Sequence, residues 1–193
     1  MIVAADIAVF DGWSEKTLKE AAGQIGISHE EARLLFPRGG IDIAKFYHQL
    51  KDQDFIQALR KLDISNLSHS QKVEIALKTR LQSITDNKEA FRRSMALFAT
   101  PMYQLEAINL VWSTCDLIWL EIKDKSHDFS WYTKRVTLVA IYLSVLLFFL
   151  GDDSKNHEET EDFIARRLRD LGKLSKFKLD FLEFLQKFIF PTR

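Results

Sequence analysis

Apolar residues return every three to four positions along most of this chain, and no stretch alternates apolar and polar over a strand's length. The pattern predicts an all-α protein. Its helices fall at 2–10, at 17–24 (opened by Ser14 or Lys16), and from a Ser28 cap through Phe36, with Glu31 completing a capping box. Pro37 and Gly39-Gly40 end the third helix, and a long fourth covers 41–62. Ser68 caps a fifth, to residue 84; Asp86-Asn87 opens a sixth, which breaks at Pro101. Helices at 103–122, 130–150, 157–171 and 174–190 complete the list, with Gly151 to Ser154 as a polar turn.

Two segments depart from the ordinary one-sided pattern. From Leu138 to Leu150 the chain is apolar on nearly all sides, so more than one face of that helix must be covered. The run from Val136 to Leu150 is short of the ~20 residues of a membrane span and reads as a buried helix. One face would line the domain interior, where an apolar ligand could sit between helices. The other would pack on a second copy, making a homodimer. The plainer alternative is a solid core. The last segment sets Phe177, Phe181, Phe184, Leu185 and Phe188 on one stripe, against Lys173, Lys176 and Lys187 on the other. From Lys173 onward five bases face two acids. An aromatic face beside a basic stripe suits a membrane interface; docking on the parent domain or on a second copy is the alternative.

Thr17 to Ser28 has the spacing of a helix-turn-helix, with small Ala residues at the contact and Gly26 in the turn. The second helix of that unit opens on His29, Glu30 and Glu31, where a DNA reader presents base-contacting side chains. Residues 1–50 carry seven acids and five bases, and the whole chain balances 27 Lys plus Arg against 27 Asp plus Glu. Phosphate neutralisation needs the opposite surplus, so the unit is expected to serve packing rather than nucleic-acid recognition. Catalytic signatures are missing. The His residues, at 29, 48, 69, 127 and 157, form no Glu-x-x-His or His-Glu-x-x-His, and there is no P-loop, Gly-x-Gly-x-x-Gly or Gly-x-Ser-x-Gly. The single Cys115 excludes an intrachain disulfide, leaves no Cys pair for zinc and reads as an inert core thiol. The chain is therefore expected to be neither an enzyme nor a metalloprotein. Asp152-Asp153 reads as a solvated turn.

Asp128-Phe129-Ser130-Trp131-Tyr132-Thr133-Lys134-Arg135 is too polar for a core and too aromatic for an ordinary surface. Followed by Leu138, Ala140-Ile141-Tyr142 and Asp152, and preceded by Gly12-Trp13 and Asp116-Leu117-Ile118-Trp119, it resembles the signature of the ubiquinone (coenzyme Q) biosynthesis accessory proteins. The resemblance covers most of the chain. It implies a TetR-regulator-like fold, with a helix-turn-helix-like unit at 1–40, a lipid-binding and dimerisation domain at 41–172 and an amphipathic helix at 173–193. It implies binding of an isoprenoid quinone intermediate or phospholipid, and presentation of it at the membrane to the di-iron demethoxyubiquinone hydroxylase. By motif, Ile118, Ile122, Asp128, Trp131, Tyr132 and Arg135 would face that partner. Trp131, Leu138, Ile141, Tyr142 and Val145 would gate or line the lipid site. Alternatively, Trp131 and Tyr132 simply staple the start of their helix. With no transit or signal peptide in view, the expectation is a bacterial protein, cytoplasmic and peripheral to the inner membrane. The competing reading is a TetR-type DNA-binding regulator with an apolar ligand.

Overall fold

The computed structural model describes residues 1–124 and 128–170, residues 128–130 by their backbone only. Among these residues the protein is helical, without strands: α1 (Ile2–Asp11), α2 (Glu15–Gln24), α3 (His29–Leu35), α4 (Gly40–Leu59), α5 (His69–Thr85), α6 (Lys88–Phe98), α7 (Gln104–Glu121) and α8 (Asp128–Gly151). Residues 158–170 form α9. Short 3₁₀ turns at Pro101–Tyr103 and Lys155–His157 precede α7 and α9.

Local chemistry sets the helix starts. Ser14 accepts from the Thr17 backbone N–H at 3.2 Å, so α2 begins at Glu15 rather than two residues later. Ser28 and Glu31 form the expected capping box, and Ser68 and Gln71 form a second. Each such cap is worth about 1 kcal/mol. The fourth helix ends at Leu59, earlier than its apolar spacing suggests. Gly40 begins it because the backbone of Trp13 and Ser14 lies within 2.7 Å of where a Cβ would stand. The Trp13 indole then donates to the Ala90 carbonyl at 2.8 Å, tying the α1–α2 corner to α6.

The core is apolar but has a polar centre. Arg80 of α5 is completely buried and pairs through Nε with Asp52 of α4 at 2.8 Å. Thr114 of α7 donates to the same carboxylate at 3.0 Å. Nearby, His48 of α4 lies 2.8 Å from the Ser94 hydroxyl of α6, with its ring against Phe91 and Phe98. Burial, helped by the charge of Arg80, pushes His48 down to about 3. Burial also raises the Asp52 carboxyl, although Arg80 and Thr114 pull it back.

The Asp152 expectation is corrected. Its carboxylate is buried and accepts from Ser154 N–H at 2.8 Å, Thr160 N–H at 3.0 Å and the Thr160 hydroxyl at 2.5 Å. Burial opposes its charge, but those hydrogen bonds together hold the carboxyl far below the usual range. Asp152 thus fastens the start of α9 to the end of α8.

The membrane-length expectation also changes. The eighth helix has 24 residues, and its segment from Trp131 to Gly151 is long and apolar enough to cross a membrane by length and composition. Its inward face, from Arg135 through Leu138, Tyr142, Val145 and Phe149, is buried against the bundle. We read it as a bundle helix buried on one face.

Because His48 is neutral when folded and titrates from 6.5 when unfolded, the unfolded chain binds the extra proton below that value. Wild-type stability should therefore fall as pH drops from 6.5 towards 3, at up to about 1.4 kcal/mol per pH unit. In His48→Gln, denaturant midpoints measured across that window should lose most of this slope.

Candidate functional site

The corner where α7 meets the start of α8 gathers the largest unusual group of side chains. Trp112 of α7 lies 6.4 Å from Trp131 and 5.9 Å from Tyr132, ring centre to ring centre, and the latter two are 5.4 Å apart. Trp112 and Trp131 are half-buried, and Tyr132 is 60% exposed. Beneath them Arg135 donates through Nε to Asp116 at 2.6 Å, and its guanidinium lies 3.7 Å from the centre of the Trp131 ring. Cation–π contact and ion pair thus act on one side chain and fix the Trp131 ring from below. A second charged group lies alongside: Lys134 reaches Asp124 at 2.7 Å and sits over Trp119, on which His69 is stacked.

The expected partner patch is only partly assembled here. Tyr132 is on the surface and Trp131 at its margin. Ile118 is 0% and Ile122 4% exposed, because both lie on the inward face of α7. Neither contributes to a surface patch. Arg135 is likewise 4% exposed and spends its charge on Asp116, so it supports the corner rather than facing a partner. The Asp128 side chain lies outside the described residues. Trp112, which the motif does not contain, takes the place the isoleucines were expected to fill. A signal for it existed: Leu105, Ile108, Trp112 and Asp116 recur at helical spacing on the face of α7 opposite Ile118.

The lipid-lining residues are scattered. Leu138, Ile141 and Val145 are buried in close packing, and Trp131 belongs to the outer corner. Tyr142 alone of the five borders the interior cavity between α4, α6, α7 and α8, together with His48, Met95, Phe98, Leu110 and Thr114. That cavity holds about 20 Å³, room for roughly one water molecule. In this conformation it is too small for an isoprenoid chain.

The outer face of α8 is apolar and open to solvent: Val136 and Ala140 are exposed, Leu143 is half-buried and Leu147 is 66% exposed. The expected membrane-binding residues Lys173, Lys176, Phe177, Phe181, Phe184, Leu185, Lys187 and Phe188 lie outside the described residues.

Two possibilities for other chemistry are weakened by the geometry. Burial pushes the Cys115 thiol far above its ordinary range, where it is a poor nucleophile. No cluster of three or more His, Cys, Asp or Glu suited to a metal occurs among the described residues. In the helix-turn-helix unit, Glu15 pairs with His29 at 3.0 Å and Arg33 at 2.7 Å, while Arg38 pairs with Asp42 and Glu106, each at 2.6 Å. Arg33 and Arg38 are thus already engaged, and Glu30 and Glu31 occupy the first turn of α3.

The COQ9 family model matches residues 105–175, the segment that carries this aromatic corner and the whole of α8. A probable ubiquinone biosynthesis protein coq9, mitochondrial, from Dictyostelium discoideum is 32% identical over 178 residues, covering 89% of this chain and 58% of the relative. In sequence the chain is thus similar to COQ9 proteins. The Schizosaccharomyces pombe ubiquinone biosynthesis protein coq9 is 28% identical, covering 89% of this chain and 68% of the relative, and the human COQ9 protein is 26% identical, covering 88% and 55%. The chain therefore spans between about half and two thirds of the length of these COQ9 relatives. In fold it is similar to a TetR transcriptional regulator from Nitrosomonas europaea, with a TM-score of 0.71 at 19% identity, over 87% of this chain and 92% of that one. The TetR-like architecture is thus shown.

If Arg135 fixes the corner, Arg135→Ala should leave Asp116 unpaired and free the Trp131 ring, at a cost of about 2 kcal/mol. Chemical denaturation would measure the loss, and tryptophan emission of the folded variant should move to the red.

Proposed function

We propose that this protein is a non-enzymatic accessory protein of ubiquinone biosynthesis. In this reading it works as a homodimer, peripheral to a membrane. It binds an isoprenoid quinone intermediate or phospholipid and presents it to the di-iron demethoxyubiquinone hydroxylase. The observation that carries the reading is the Trp112–Trp131–Tyr132 corner, held by Asp116 and Arg135 within the segment that matches the COQ9 family. Half-exposed aromatics on a rigid base are the composition of a binding hot spot. The names of the relatives point to the ubiquinone pathway. The small interior cavity means that a lipid held inside must part α6 from α7, displacing side chains such as Met95 and Leu110.

The outer face of α8 supports the dimer. Leu147→Asp places a carboxylate on that face and should convert a dimer to monomers in sedimentation velocity, with little change in the monomer's helix content. Native mass spectrometry of the purified protein should find a bound isoprenoid or phospholipid. Tyr132→Ala and Trp112→Ala should each weaken capture of the hydroxylase by tenfold or more, without altering the melting temperature by more than a few degrees. A protein empty of lipid, with hydroxylase binding indifferent to both substitutions, would overturn the proposal.

The fold likeness favours a second reading, a DNA-binding regulator. The acidic start of α3 and the internally paired arginines oppose it. Specific, salt-sensitive gel shifts on neighbouring promoters would establish it instead.

A further inference from the structure

The exposed side of α1 has an unusual composition. Ile2 is 73% and Phe10 81% exposed, one on each side of Asp6 along the same stripe. Between α1 and α2 runs an open groove of about 280 Å³, with Val3, Ile7 and Phe10 as its apolar surface and Asp6, Asp11 and Glu20 along it. The first helix contains no basic residue, and among the described residues Lys16 answers Asp11 and Glu20, at 3.0 Å and 3.8 Å. An apolar trough edged with carboxylates fits a helix with an aromatic face and a basic flank. The sequence beyond Lys173 has that pattern, with Phe177, Phe181, Phe184 and Phe188 on one stripe and five bases against two acids.

The distances allow the meeting. Asn87 donates to Asp6 at 3.2 Å, and the neighbouring Lys88 donates to the Asp152 carbonyl at 2.5 Å. The entry to α9 therefore lies at the α1 end of the molecule. From there α9 runs back along α8, with Phe163 stacked on Phe148 at 4.4 Å, and residues 158–170 rise about 18 Å. The 23 residues from 171 to 193 are chain enough to cover that distance, since even a helical chain advances about 1.5 Å per residue.

We propose that the α1–α2 groove is the resting dock of this chain's own segment 173–193. Docked there, the segment covers Phe10 and keeps its phenylalanines out of water; a membrane competes with the groove for the same face. The membrane role of the segment rests on the function proposed above, but the docking does not and can fail separately.

The test uses the full chain with Cys115→Ser and a cysteine pair, Gln24→Cys on the groove rim and Lys187→Cys in the segment, joined by a short bismaleimide. Efficient crosslinking within one chain is expected. Adding Asp6→Lys and Asp11→Lys should lower the yield at least fivefold, and Phe10→Ala, which leaves the charges in place, should lower it too. Vesicles of phosphatidylglycerol and phosphatidylcholine should compete the crosslink away in the uncharged-reversed protein. A yield indifferent to both kinds of substitution overturns the proposal, as does a crosslink formed only between chains. Crosslinking that responds to the substitutions but not to vesicles would keep the dock and sink the membrane role of the segment.

Discussion

The bundle is organised around a charge it cannot expose. Asp52 and Arg80 lie in the interior, where each ion alone would cost several kcal/mol, and Thr114 completes the carboxylate's hydrogen bonding. Their three helices, α4, α5 and α7, are therefore held at one spacing. Any rearrangement that separated them would strand a desolvated ion, at about 3–5 kcal/mol. His48, kept neutral beside Ser94, links α6 to the same centre. The interior is specified by hydrogen-bond geometry as well as by shape, and this is why so little empty volume remains.

That constraint directs where function can reside. Beside the tight centre, α8 is an element with spare surface, since its inward face completes the core while its outward face is apolar and exposed. At one end of α8 the Asp116–Arg135 pair sets out three aromatic rings; at the other, Asp152 fastens α9. Both ends depend on a carboxylate that is hydrogen-bonded within the chain. The aromatic corner can be partly exposed and still rigid because its anchor is buried.

The helices were legible because periodicity, capping serines and glycines are local signals. Ser28 with Glu31 can be read from three residues of spacing, and Gly40 announces its close approach by lacking a side chain. The candidate site was legible only as a stretch of sequence. Its motif identified Trp131 and Tyr132, but not which neighbours share their surface. Ile118 and Ile122 fall near them in sequence and on the opposite face of α7 in space. Arg135 and Asp152 look like surface charges until their partners, 19 and 8 residues away, are seen to consume them. Long-range pairing of this kind leaves no trace in periodicity.

The same reasoning separates this chain from the regulators whose fold it shares. A helix-turn-helix reads DNA only when its surplus charge is free and positive at the second helix. Here Glu15 takes up Arg33 and His29, Asp42 and Glu106 take up Arg38, and two glutamates open α3. Among its charged surface this unit also exposes large apolar side chains: Leu34, Leu35 and Ile25 near α3, and Phe10 on α1. The architecture of a nucleic-acid reader is retained, but the second helix opens on carboxylates, and the exposed apolar side chains beside it can associate through the hydrophobic effect. Such side chains suit an amphipathic partner, whose binding draws on apolar burial as well as on charge.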